Sequence, residues 1–109
     1  MLLLYLTMAY VIVPNIGLLI EDSEIYSNSN EYISTIMKRY HVGIVNRIIK
    51  KDIDNENQKT SLFYVYFEEW FNTQLNLNFQ HKLLSNENEI LFPHDLYHNK
   101  SWKVKAIVK

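Results

Sequence analysis

The sequence predicts an α+β fold in which a four-stranded antiparallel sheet is backed on one face by two helices. Three observations predict it. Short β-branched or alternating apolar runs at 10–13, 44–53, 61–67 and 102–108 are separated by two stretches of helical periodicity. Their order is strand, helix, strand, strand, helix, strand, with one extra short run before the last. The chain has 109 residues, 48% of them apolar, with Gly 2 and Pro 2, which suits one domain with a real core and leaves no flexible linker.

Each element has a local reason. Tyr10-Val11-Ile12-Val13 is a short apolar run ended by Pro14-Asn15, the pattern of a buried strand leaving a sheet. Ser27 to Asn30 offers caps for a first helix. Its stripe of Ile33, Ile36, Met37 and Tyr40 is stopped by Gly43, with Lys38, Arg39 and His41 in the last turn. Ile44 to Ile53 reads as a second strand, and residues 52–57 as a polar hairpin loop. Ser61 to Phe67 alternates cleanly, with Phe63, Val65 and Phe67 on one face and Leu62, Tyr64 and Tyr66 on the other. Asn72-Thr73 caps a second helix whose inward stripe reads Leu75, Phe79 and Leu83, with Asn78 at its boundary. The run Glu89 to Phe92, a Pro-His-Asp turn and the alternation Trp102, Val104, Ala106, Val108 complete the order. In about a hundred residues this is the split βαβ, ferredoxin-like βαββαβ sandwich, with the first and third strands central.

Residues 1–7 read as an apolar extension and 8–109 as the domain. Met1 to Ile20 is uncharged and long enough to span a bilayer as one helix. It has no basic start, and Pro14, Asn15 and Gly17 break it, so a buried strand is the stronger reading and no membrane partner is expected. There is no cysteine, hence no disulfide scaffold. The net charge of −1 hides segregation, because 38–51 carry Lys38, Arg39, Arg47, Lys50 and Lys51 with no acid, and the last ten residues carry four lysines with none.

The strand parities place Val11, Val13, Phe63, Val65 and Phe67 in the core and leave Tyr10, Ile12, Leu62, Tyr64 and Tyr66 on an open sheet face. Lys103 and Lys105 fall on one edge of that face. Arg47, Lys50 or Lys51 falls on the other, the choice depending on whether a bulge flips the parity. Rings in the middle and cations on the flanks suit single-stranded RNA or DNA, whose bases stack while its phosphates meet ammonium groups. The plainer alternative is a tyrosine-bearing face that docks a protein.

Val11-Ile12-Val13-Pro14-Asn15-Ile16 and Thr60-Ser61-Leu62-Phe63-Tyr64-Val65-Tyr66-Phe67 resemble the hexapeptide and octapeptide of the RNA recognition motif. The three stacking positions of that family fall on Ile12, Leu62 and Tyr64, so one ring of three is present, and Thr60-Ser61 replaces the family's base and glycine. The chain is also similar to small proteins of giant DNA viruses that resemble this motif, through Pro14-Asn15-Ile16, Gly43-Ile44-Val45-Asn46-Arg47-Ile48, Tyr64-Val65-Tyr66-Phe67-Glu68-Glu69-Trp70 and Trp102-Lys103-Val104. The excess of Asn, Ile, Lys and Tyr fits an A/T-rich viral genome. The resemblance implies a non-enzymatic, RNA-binding or protein-binding module of the host cytoplasm or viral factory, and possession by a virion is compatible with it.

Catalytic and metal chemistry is not expected. His94-Asp95-x-x-His98 has the spacing of a helical metal clip but lacks a third strong ligand, and reads as a solvated loop. Glu68 and Glu69 are consecutive in a strand, point to opposite faces and read as its polar end beside Trp70, which packs over the second helix. No phosphate loop, nucleophile elbow or dinucleotide fingerprint occurs, and no cofactor is implied.

Overall fold

The computed structural model describes residues 12–22, 28–55, 58–85 and 90–108. Its elements are β1 (Gly17–Asp22), α1 (Ser29–Arg39), β2 (Gly43–Asn55), β3 (Gln58–Trp70), α2 (Gln74–Ser85), β4 (Ile90–Asp95) and β5 (Lys100–Ile107). The strands form one five-stranded sheet in the order β2-β3-β1-β5-β4, antiparallel at every junction. The α+β class, the two helices and the central pairing of the first and third strands are as expected. The strand count is not: the extra run before the last strand is a full edge strand, so β5 with Lys103 and Lys105 lies one position inside the edge.

One face of the sheet is buried beneath both helices. Leu18 and Ile20 of β1, Phe63 and Val65 of β3 and Trp102 and Val104 of β5 meet Ile33, Ile36 and Met37 of α1 and Leu83 of α2 in a single core. These strand residues alternate, as one covered face requires.

The first strand is displaced from its expected position. The chain turns at Pro14-Asn15 before β1 rather than after it, so Ile12 and Val13 precede the strand, and Val13 is 40% exposed instead of buried; Tyr10 and Val11 lie outside the described residues. The uniformly apolar Gly17-Leu18-Leu19-Ile20 shows no alternation, so its strand character was hidden, whereas Tyr10 to Val13 looked the stronger β-former. Because β1 occupies Gly17–Asp22, Met1 to Ile20 is not one continuous helix. Among the described residues no helix is long and apolar enough to cross a membrane.

Helix α1 matches its predicted stripe, with Ile33, Ile36 and Met37 buried, Glu31 in the first turn and Lys38 and Arg39 in the last. Its stop is His41 rather than Gly43. His41 adopts φ 57°, and the bonds His41 N–H to Lys38 O (3.1 Å) and Val42 N–H to Met37 O (2.8 Å) close a Schellman motif. Gly43 serves a different need, since a Cβ there would lie 2.3 Å from the Glu69 carbonyl oxygen of the paired strand. At the other end, the Asn28 side chain makes no capping bond.

Helix α2 is capped by Thr73, whose Oγ1 accepts the Asn76 N–H at 3.2 Å, but its inward face is rotated from the one expected. Leu75 is 78% exposed and Asn78 bonds along the surface with Gln74, while Asn76, Gln80 and Leu83 are buried and Phe79 partly so. The buried amides act as clips. Asn76 Nδ2 reaches the carbonyls of His41, Val42 and Phe71 at 2.7–2.8 Å. Gln80 holds both backbone groups of Val13, at 2.8 and 3.0 Å. Satisfied in this way, a polar side chain occupies the core without the penalty of an unpaired one.

The hairpin of β2 and β3 is longer than expected, because pairing continues from Asp52–Ser61 to Asn55–Gln58 through what had read as loop. Ser61 Oγ donates to Asp52 Oδ1 at 2.8 Å across that extension. At the opposite end Phe67 is half-buried, and Trp70 packs against it and Phe79 while its indole N–H donates to Ile16 O at 2.8 Å. Glu68 and Glu69 are both exposed.

Candidate nucleic-acid interface

The face of the sheet that no described helix covers is read off the strand registers. On β3 it carries Leu62, Tyr64 and Tyr66; on β1 Gly17, Leu19 and Glu21; on β2 Arg47, Ile49 and Lys51; and on β5 Lys103 and Lys105. Three cross-strand rows result. The middle row runs Ile49, Tyr64, Leu19, Lys105, the second runs Lys51, Leu62, Glu21, Lys103, and the third runs Arg47, Tyr66, Gly17, Ile107.

A bulge decides which cations of β2 face this side. Val45 pairs with Phe67 and Arg47 with Tyr66, so Asn46 is the extra residue and reverses the alternation between them. Val45 therefore packs on the core while Arg47 stands beside Tyr66, its guanidinium carbon 5.6 Å from the ring centroid. Lys50 takes the other parity, with its ammonium 5.9 Å from the Phe63 ring and 3.7 Å from Asp52. Among the described residues, no ion pair engages Arg47, Lys51 or Lys103.

Gly17 shapes the third row. A Cβ there would lie 2.9 Å from Val65 O, 3.3 Å from Tyr66 Cδ1 and 3.4 Å from Ile107 Cβ, so the Tyr66 ring extends over the bare glycine. Beside it, an open groove of about 250 Å3 is lined by Pro14, Asn15, Ile16, Asn46, Tyr66 and Phe67.

Of the residues expected here, Leu62, Tyr64, Tyr66, Arg47, Lys103 and Lys105 share the open face. Tyr10 lies outside the described residues, and Ile12 is not on the face: it packs half-buried against the core ahead of β1. Leu19 stands opposite Tyr64 where Ile12 was expected, a direct consequence of the displaced strand. Sequence reasoning also missed Gly17, Glu21 and Ile49, and named Lys51 only as an alternative to Arg47 and Lys50. A glycine leading an apolar run was the available signal for Gly17, since glycine in a strand marks a close approach.

Of the residues with the spacing of a metal clip, the helix-covered side holds only His94. His94 is buried, its ring stacked 4.1 Å from that of Trp102 at 13°, and its Nδ1 lies 2.9 Å from the Tyr32 hydroxyl. The Trp102 indole N–H donates to Asp22 Oδ2 at 2.7 Å. His98 is separate, on the surface turn after β4, with Nδ1 2.8 Å from Asp95 Oδ2. Burial, together with the Asp95 carboxylate, raises the Tyr32 hydroxyl above its ordinary pKa, and the hydrogen bonds from His98 lower the Asp95 carboxyl. The three residues therefore do not converge, and no group of three or more His, Asp or Glu suited to a metal occurs among the described residues. The loop reading holds for His98 and fails for His94, whose ring turns inward to Trp102, and for Asp95, which ends β4 paired with Lys100.

Comparison of the chain with protein-family models, curated proteins and solved structures gives no match.

Proposed function

We propose that the open sheet face binds single-stranded nucleic acid, RNA above all. The observation that carries this reading is the cross-strand arrangement of a half-exposed apolar centre, Ile49, Tyr64 and Leu19, between Arg47 and Lys51 on one side and Lys103 and Lys105 on the other. Bases stacked over Tyr64 and Tyr66 bring a flexible strand's phosphates within reach of both flanks. A duplex is the poorer ligand, because its bases present no open π-face to the tyrosines.

The sheet order supports a ferredoxin-like assignment: β2-β3-β1-β5 is the order of the split βαβ sandwich, and β4 is an added edge strand. The resemblance to RNA-recognition-motif-like proteins of giant DNA viruses rests now on the octapeptide and the later segments, since the hexapeptide Val11 to Ile16 precedes β1. Under this reading the protein acts without catalysis in the host cytoplasm or viral factory.

Anisotropy of a labelled RNA oligomer at low ionic strength tests the proposal. Tyr64→Ala is expected to weaken binding by on the order of 1–3 kcal/mol, and affinity is expected to fall steeply with salt. No binding by the wild-type chain at low salt would sink it.

A protein-binding reading is favoured by a different surface. The turn after β4 is pinned by Asp95 to His98 and by the Asn99 N–H to Leu96 O, and it displays Leu96 and Tyr97 at 70% and 91% exposure. Held together on a pinned turn, the two side chains offer a partner a small preformed apolar contact. Light scattering that shows a dimer, dispersed by Tyr97→Ser and untouched by Tyr64→Ala, is the outcome that reading requires.

A further inference from the structure

The groove beside Tyr66 has the chemistry of a more selective site than the flat face next to it. Its volume of about 250 Å3 is smaller than pockets for drug-sized ligands, so it suits one small planar group. Pro14, Ile16, Tyr66 and Phe67 contribute the apolar lining, and Asn15 and Asn46 supply the polar groups. Asn46 is the unpaired residue of the β2 bulge, and bulges commonly re-aim a side chain out of the ladder. Neither amide side chain is hydrogen-bonded among the described residues.

An asparagine amide offers donors and an acceptor on one planar group, the complement of a nucleobase edge. Arg47 follows Asn46 directly and stands over Tyr66, where it supplies a fixed cation for a phosphate attached to that base. An apolar peptide side chain would leave both amides unpaired, and an anion alone would make no use of the Tyr66 ring.

We propose that this groove receives a single nucleobase, its edge read by Asn46 and Asn15 and its phosphate held by Arg47. The inference rests on the reading of the open face only for the source of the base, which is either one nucleotide of a bound strand or a free mononucleotide.

The full chain is titrated with the four short homopolymeric RNAs at low salt, and separately with AMP, CMP, GMP and UMP while the side-chain amide signals of Asn15 and Asn46 are followed by NMR. The expected result is a preference of at least about five-fold among the homopolymers, lost in Asn46→Ala, whereas Tyr64→Ala weakens all four alike. Asn15→Ala, outside the ladder, carries the same readout if Asn46→Ala unfolds. An Asn46→Ala variant with unchanged melting whose affinity and preference stay within about two-fold of wild type overturns the inference and leaves the reading of the face intact. Amide shifts with mononucleotides, in a chain that binds no oligomer, uphold the groove as a free-nucleotide site and overturn the strand reading. No amide shift and no oligomer binding overturn both.

Discussion

The two faces of the sheet arise from the same strands by the same alternation, yet they treat polar groups in opposite ways. On the helix-covered side each buried polar side chain is committed to a partner: Asp22 to the Trp102 indole, His94 to Tyr32, Asn76 to three carbonyls and Gln80 to Val13. On the open side, cations border a half-exposed apolar row, and Arg47, Lys51 and Lys103 have no acid paired with them among the described residues. Water explains the contrast. It solvates an idle ammonium on the open side, whereas an idle buried amide or carboxylate would cost the desolvation of its polar atoms. The comparison also separates rings by role. Phe67, Trp70, Phe79, Phe92, Trp102, His94 and Tyr32 form a chain of ring contacts beneath the helices, while the open face has Tyr64 and Tyr66.

The largest effect should come from the covered face. Trp102→Ala removes a fully buried ring, its stacks on His94 and Phe92 and the donor to Asp22, and is expected to cost about 3–5 kcal/mol in a urea titration. A loss under about 1 kcal/mol would mean that the covered face is not the source of stability. Gly17→Ala blurs the boundary between the faces. Its Cβ presses on Val65 O and on the Tyr66 ring, so roughly 1–3 kcal/mol of stability should be lost together with RNA affinity.

Smaller changes isolate the open face. Replacing Lys103 and Lys105 by Ala is expected to leave the unfolding free energy within about 0.5 kcal/mol while lowering the slope of log affinity against log salt by about 2. An unchanged slope would remove both lysines from the phosphate path. The mildest test is alkaline pH. Because the folded Tyr32 hydroxyl lies above its ordinary value of 10.0, the stability it lends is fully present below about pH 10 and is lost as pH rises through the higher folded value. Thermal melts across that range should show a steeper alkaline decline for wild type than for Tyr32→Phe; parallel curves would show that the hydroxyl is not protected by the fold.

Local pattern made some of this legible in advance. The stripe of α1, the alternation of β3 and the Trp102-Val104 face of β5 follow from apolar periods of 3.6 and 2, and they placed Leu62, Tyr64, Tyr66, Lys103 and Lys105 on the right face, though β5 is not the edge strand expected. Helix α2 misled because its inward residues include two amides, which hydrophobic periodicity counts as outward. The position of β1 is hidden because four consecutive apolar residues carry no parity, whereas the neighbouring run Tyr10 to Val13 has the stronger β-pattern and points to Ile12 for the face.

By itself the sequence determined the α+β class, one long covered face and the open-face position of Leu62, Tyr64, Tyr66, Lys103 and Lys105, because these depend on spacing along the chain. Tertiary structure alone decided where β1 begins, that Arg47 rather than Lys50 joins Tyr66, and that Asn76, Gln80 and His94 turn inward. Those outcomes depend on a bulge, on a glycine pressed against a neighbouring strand and on carbonyls contributed by residues distant in sequence. No local period encodes such partners, since Asn76 and Gln80 are drawn inward by backbone groups, and His94 by the Tyr32 hydroxyl and the Trp102 ring, that only the assembled fold brings within reach.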